Sequence, residues 1–210
     1  MISPIIPTVF AHNKEEFNER FKKLIKISKN IHVDFMDGKF VKAKSIQLRK
    51  IPNLKKYKNN FEAHLMIQNP IKLIKKIKQK GFKKIIFHYE SNNPEQIIST
   101  IKKLKLSTWI AINPETEVEK IYPFLRNVGG ILFMGVHPGK EHQKFIQNVY
   151  KKIQKLRKTN KKIKIQVDGG VTPQVIKNLA KHKVNYINSG SYISDSKNPG
   201  EELNRLNSAY

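Results

Sequence analysis

The chain has 210 residues, enough for a single domain with a sizeable core, and no cysteine, which excludes disulfide frameworks and leaves imidazole and carboxylate as its strong metal ligands. Lys and Arg number 41 against 16 Asp and Glu, a formal charge of +25 that attracts anions. No basic segment precedes an apolar one at the start, and no apolar run nears the roughly 20 residues of a membrane span, so a soluble cytoplasmic protein is expected.

Short β-rich apolar runs at 2–6, 31–35, 61–66, 84–88, 108–112, 130–134, 162–167 and 186–189 predict eight strands. The first leads into the helical spacing Phe17, Phe21, Leu24. The second lies in His32-Val33-Asp34-Phe35-Met36-Asp37-Gly38. A strand puts alternate side chains on one face, so His32, Asp34 and Met36 point together, while Asp37 falls on the other face and suits a turn before Gly38. The segment after Phe40 is the one weak gap in the pattern. The third run ends in Ala63-His64-Leu65-Met66, ahead of the helical spacing Ile71, Ile74, Ile77. The fourth ends in Phe87-His88-Tyr89-Glu90, where His88 either faces a site or satisfies a backbone carbonyl; Ile97, Ile101 and Leu104 follow at helical spacing. The sixth ends at Met134, before Ile146, Val149, Ile153 and Leu156. The seventh closes as Ile165-Gln166-Val167-Asp168-Gly169-Gly170, and the eighth precedes Gly190-Ser191.

Helix starts are marked by Asn69-Pro70, Asn93-Pro94, Thr172-Pro173 and Asn198-Pro199, each read as a capping side chain before a proline in the first turn. The lysines crowd into 72–80, 102–105 and 151–164 among apolar residues at helical spacing, the pattern of solvated outer helix faces. No nucleic-acid-binding motif accompanies them, so contact with nucleic acid is expected only as nonspecific charge attraction. Eight strand–helix units with continuously apolar strands point to a parallel sheet covered by helices and closed into a (β/α)8 TIM barrel, one domain over 1–210. A doubly wound open sheet is the alternative, though no Gly-x-Gly-x-x-Gly follows the first strand.

In a barrel the strand ends that lead into helices carry the active site, and His32, Asp34, His64, Met134 and Asp168 all lie near such ends. Two His and two Asp make one divalent metal site. Backbone N–H groups at Gly169, Gly170, Gly190 and Ser191, after the last two strands, suit a phosphate. His12, His137, His142 and His182 are not needed as ligands. Apart from Met1 the methionines are Met36, Met66 and Met134, all within these motifs.

With these residues in hand, the chain resembles the ribulose-phosphate 3-epimerases almost end to end. The matching pieces are Ser3-Pro4, 32–41, His64-Leu65-Met66 with Asn69-Pro70, and Asn113-Pro114 with Thr116. They continue as Met134-Gly135-Val136 with Pro138-Gly139 and Gln143-Lys144-Phe145, 167–171, and Gly190-Ser191. The resemblance implies a barrel that inverts C3 of a ketopentose phosphate, most simply D-ribulose 5-phosphate and D-xylulose 5-phosphate. It implies that His32, Asp34, His64 and Asp168 hold one divalent metal (Zn, Fe, Mn or Co), and that Asp34 and Asp168 exchange protons with C3 from opposite faces. It places Met36, Met66 and Met134 beside the flat intermediate, Gly139 among the substrate-binding residues, and the chain in a homo-oligomer. Three departures stand out. Ile5 replaces a serine that contacts substrate; His137-Pro138-Gly139-Lys140-Glu141-His142-Gln143 replaces a loop that continues Pro-Gly-Phe-Gly-Gly-Gln; Lys42-Ala43 replaces Pro-Asn. These leave open an epimerase for another phosphorylated ketose such as a hexulose 6-phosphate, and the charge leaves open a non-catalytic polyanion-binding barrel.

Overall fold

Each strand is short and apolar on both faces, so it is stable only when covered on both. The computed structural model describes residues 3–210, and in it that cover is a barrel interior on one side and helices on the other. The elements run β1 (Ile5–Val9), α1 (Lys14–Ile27), β2 (Asn30–Met36), β3 (Asn60–Met66), α2 (Ile71–Lys80), β4 (Lys84–His88), α3 (Pro94–Lys103) and β5 (Ser107–Ile112). They continue as β6 (Gly130–Met134), α4 (Asn148–Thr159), β7 (Lys164–Asp168), α5 (Pro173–Lys181), β8 (Tyr186–Ser189), α6 (Ser191–Ser194) and α7 (Pro199–Ala209). The strands close in the order β1 to β8, every neighbouring pair parallel, β8 returning to β1. The open-sheet alternative is thereby excluded. No helix among the described residues is long and apolar enough to cross a membrane.

The first strand sits three residues later than its apolar run predicts, and Ile2, where that run begins, lies outside the described residues. Pairing decides the shift: Thr8 registers with His32 and Val9 with Val33, while Ile5 registers with Ile187. With that register Ile5 and Val9 join the apolar layer between strands and helices, and Thr8 lines the cavity at the barrel mouth.

That layer takes Phe17, Phe21 and Leu24 from α1, Ile74 and Ile77 from α2 and Ile153 and Leu156 from α4, the positions that helical spacing marks. Each such side chain contributes about 1.5–3 kcal/mol on burial, and Phe17→Ala would cost roughly 3–5 kcal/mol. The barrel interior is divided. Ile86, Trp109, Ala111 and Leu132 fill the β4–β6 side, whereas His32, Glu62, His64, Gln166 and Asn188 are buried polar residues of β2, β3, β7 and β8.

Two connections lack an α-helix. After β2 the chain makes 3-10 turns at Leu48–Lys50 and Leu54–Lys56, the weak gap of the sequence pattern. Between β5 and β6 it makes a 3-10 stretch, Val118–Phe124, with Pro123 inside it, which cannot supply the N–H an α-helix would need. Of the four predicted caps only Thr172 accepts a bond, from Val175 N–H at 3.3 Å. Asn69 is one residue too early, because Pro70 takes the cap position; Asn93 adopts a left-handed backbone, and the Asn198 amide donates to Glu201 instead. Asn13 caps α1 by accepting from Glu16 N–H at 2.9 Å. One lysine of the 151–164 group is not on a solvated face. Lys152 is buried, its Nζ donating to the Asn113 and Pro114 carbonyls at 2.8 and 3.1 Å.

Candidate metal centre

Alternation along β2 turns His32, Asp34 and Met36 inward, and the parallel register sets Asp34 beside His64, Met36 beside Met66 and Met134 beside Asp168. His32, Asp34, His64 and Asp168 are all buried at the mouth, with one donor atom from each lying within 4.8 Å of the others. Asp34 Oδ1 is 3.2 Å from His32 Nε2 and 2.9 Å from His64 Nδ1; Asp168 Oδ2 is 3.7 and 3.5 Å from the same nitrogens. Donors bound to one ion at roughly 2.0–2.2 Å must lie within about 4.4 Å of one another, so this spacing needs only small adjustment.

The second nitrogen of each imidazole is already committed. His32 Nδ1 donates to Glu62 Oε1 at 2.6 Å, leaving Nε2 toward the cavity. His64 Nε2 lies 2.9 Å from His88 Nε2, and His88 Nδ1 lies 3.3 Å from Glu90 Oε2, leaving His64 Nδ1 toward the cavity. Glu90 Oε1 in turn accepts from Asn113 N–H at 2.9 Å and from the Thr116 hydroxyl. His88 therefore faces the site through His64. Asp37 has the turn role: its Oδ1 accepts from Lys39 and Phe40 N–H and its Oδ2 from Gln68 N–H, at 2.8–2.9 Å.

Burial disfavours the charged forms of His32, Asp34 and His64, but their pairing with neighbouring groups outweighs it. His32 is pushed up to about 10 by Asp34 and Glu62, and His64 is raised by Asp168 and Asp34. Asp34 is held below the usual carboxylate range by the two imidazoles. His88 is different, because burial pushes its imidazole below its ordinary value against the pull of Glu90. The raised imidazoles show that the pocket favours positive charge beside its carboxylates, as a divalent ion in the same place would supply. Donor types, spacing, locked nitrogens and charge all fit such an ion.

Above the four ligands a cavity of about 650 Å³ opens, lined by Met36, Met66 and Met134 and by Gly139, Gly169, Gly170, Gly190 and Ser191. Gly169 and Gly170 have φ of +97° and +67°, and a β-carbon on Gly170 would lie 2.7 Å from the Phe145 backbone, so the turn after β7 needs glycine. The other histidines take no part in the cluster: His12 lies 2.9 Å from the Lys44 carbonyl, His137 pairs with Glu115, His142 with Asp195, and His182 packs on Tyr150.

Sequence reasoning missed two groups. Among the described residues, Thr8 Oγ1, Asn188 Nδ2 and Ser189 Oγ are buried polar atoms without a partner, and all three residues line the cavity. Below the ligands, Glu62 Oε2 pairs with Lys84 Nζ at 2.8 Å, Lys84 sits 3.6 Å from the Trp109 ring centre, and Gln166 Nε2 donates to Glu62 at 2.6 Å. The period-two signal was available for Glu62, two residues before His64, and for Gln166, two before Asp168. Ile5 packs in the outer apolar layer, and the polar residue of β1 that lines the cavity is Thr8.

Comparison with known proteins agrees with this picture. Residues 3–194 match the model of the ribulose-phosphate 3 epimerase family. A protein of Oryza sativa subsp. japonica named ribulose-phosphate 3-epimerase, cytoplasmic isoform, is 30% identical over 209 residues, covering 96% of this chain and 92% of its own. A ribulose-phosphate 3-epimerase of Schizosaccharomyces pombe is 28% identical over 208 residues, covering 96% and 91%. Among solved structures, KGPDC from Streptococcus mutans superposes with a TM-score of 0.77 at 10% identity over 100% of this chain and 97% of its own, a likeness of fold.

Proposed function

The chain belongs to the ribulose-phosphate 3-epimerase family, and from that premise we propose that it interconverts D-ribulose 5-phosphate and D-xylulose 5-phosphate by proton transfer at C3 between Asp34 and Asp168. The observation that carries this reading is the meeting of two carboxylates from different strands at one imidazole nitrogen, His32 Nε2, from 3.2 and 3.7 Å. Inversion needs an acid and a base on opposite faces of the sugar, because a single group returns the proton to the face it left. One carboxyl must be ionised to take the proton while the other carries the proton that is returned.

His32, Asp34, His64 and Asp168 would hold one divalent metal, for which Zn, Fe, Mn and Co suit the donor set about equally. Such an ion supplies Lewis-acid stabilisation of the negative charge that develops on the ketone oxygen when C3 loses its proton. Glu62 and His88 keep the ligating nitrogens aimed at the cavity. Thr8 and Asn188, on the inward faces of β1 and β8, offer polar groups toward the sugar, and Met36, Met66 and Met134 offer an apolar, polarizable wall to a planar intermediate. Gly169, Gly170, Gly190 and Ser191 admit a phosphate close to the main chain, and Gly139 lines the same cavity for the substrate. The protein acts in the cytoplasm as a homo-oligomer on a small sugar phosphate, with no membrane partner and with nucleic acid drawn only by charge.

A second reading, epimerisation of another ketose phosphate such as a hexulose 6-phosphate, is favoured by one observation. Residues 138–143 line the cavity with Lys140, Glu141 and His142, all polar. A panel of pentulose and hexulose phosphates separates the two. The pentulose reading expects the highest kcat/KM with ribulose 5-phosphate, and a larger value with any hexulose phosphate rejects it. A polyanion-binding role in place of catalysis expects RNA binding that persists at high salt, whereas field attraction alone disappears.

A further inference from the structure

Glu141 belongs to the loop after β6, and its carboxylate lies over the Gly190 turn. Its Oε1 is 3.4 Å from the place a β-carbon on Gly190 would take. Arg20 of α1 holds it there, Nη1 donating to both carboxylate oxygens at 3.2 and 3.0 Å. The guanidinium is itself anchored, Nη1 to the Phe10 carbonyl at 2.7 Å and Nη2 to Asp195 Oδ1 at 3.0 Å. His142, the next loop residue, reaches Asp195 from 3.6 Å, so two successive loop side chains are tied to the region around α6. The Arg20–Glu141 pair is sheltered, each side chain only about one-fifth exposed, and burial pushes the Glu141 carboxyl up against the opposing pull of Arg20. The protein thus supplies an anion of its own beside the Gly190–Ser191 backbone.

We propose that Glu141 is a specificity-determining residue: its carboxylate occupies the edge of the phosphate cradle, and an incoming phosphoryl group displaces it and takes over the Arg20 guanidinium. This rests on reading the turns at Gly169, Gly170, Gly190 and Ser191 as the phosphate site. Two anions side by side repel, and Arg20 Nη1 is already shared between Glu141 and the Phe10 carbonyl while Nη2 serves Asp195, so a phosphate reaches the guanidinium only where the carboxylate leaves it. A phosphoryl dianion outcompetes the singly charged carboxylate for Arg20, whereas an unphosphorylated sugar leaves it in place. The cost of displacement falls only on a ligand that enters the cradle, and a dianion recovers it.

Binding of inorganic phosphate to the whole protein, measured by calorimetry at fixed ionic strength, tests this with Glu141→Gln, Glu141→Gly and Glu95→Gln. The last makes the same charge change on α3, across the barrel. Phosphate is expected to bind roughly ten-fold tighter to both Glu141 variants and unchanged to Glu95→Gln, with the KM for the ketose phosphate falling in parallel. Adding Arg20→Met to Glu141→Gln is expected to cancel the gain, and a double variant that keeps it overturns the transfer of Arg20. Equal affinity in the wild type and both Glu141 variants overturns the assignment while leaving the cradle standing. A gain as large in Glu95→Gln reduces the effect to net charge and overturns it as well. No phosphate binding by any of these proteins overturns the cradle, and the assignment falls with it.

Discussion

His32 Nδ1 and Glu62 Oε1 lie 2.6 Å apart in the closed interior of the barrel, and this bond decides which imidazole nitrogen faces the cavity. Glu62 is in turn fixed by Lys84 at 2.8 Å and by Gln166 at 2.6 Å, so the orientation is held from three strands. Glu62→Gln is expected to weaken divalent metal binding about 10–100-fold, read by competition with a chromophoric chelator, while the fold persists by circular dichroism. Unaltered affinity would mean that His32 is oriented by packing alone.

The two carboxylates are expected to fail differently. Asp34→Asn and Asp168→Asn should each lower epimerisation about 10²–10⁴-fold. Each variant retains one group, so each should still exchange the C3 proton of one epimer with solvent without inverting it, and the two variants should differ in which epimer exchanges. NMR of the ketose phosphates in deuterated buffer reads this directly. If both variants exchange the same epimer, one group is acting on one face and the two-sided scheme is wrong.

Thr8 carries a buried hydroxyl with no partner at the cavity wall. Thr8→Val keeps the shape and removes the hydrogen bond, about 1 kcal/mol, so the KM should rise roughly five-fold or more. Ile5→Ser, by contrast, should cost stability and leave the KM unchanged, because Ile5 packs in the layer outside the barrel. Steady-state kinetics beside thermal unfolding separate the two effects.

Glu90 gives a pH dependence of stability. Burial raises its carboxyl, but the hydrogen bonds from His88, Thr116 and Asn113 prevail and hold it below its ordinary value of 4.5. A carboxylate lowered by folding stabilises the protein above its unfolded value, and that contribution is lost as pH falls through the folded one. The difference between wild type and Glu90→Gln, roughly 1.5–3 kcal/mol near neutrality, should therefore shrink as pH drops below about 4.5. Urea unfolding at a series of pH values checks the sign, and a gap that widens in acid contradicts it.

Much of this architecture was legible because strand alternation is local. His32, Asp34 and Met36 share a face by their spacing alone, and so do the last residues of β3 and β7. The register of β1 was not legible, because Ile2, Ile5, Ile6 and Val9 offer overlapping apolar runs and only pairing with β2 and β8 chooses among them. That choice moves the polar contact from residue 5 to Thr8. The support beneath the ligands was hidden for a different reason: Glu62 and Lys84 lie 22 positions apart and become partners only when β3 and β4 pair in register. Likewise Arg20 looks like one more charge on α1 until the barrel closes and brings residue 141 to it.

The most direct measurement couples metal analysis of the purified protein to deuterium exchange at C3 of ribulose 5-phosphate. The account predicts one divalent ion per chain, exchange accompanied by formation of xylulose 5-phosphate, and loss of both on chelation with recovery when the ion is returned. Full exchange and inversion in protein stripped of metal, or a loaded protein that exchanges nothing, would contradict it.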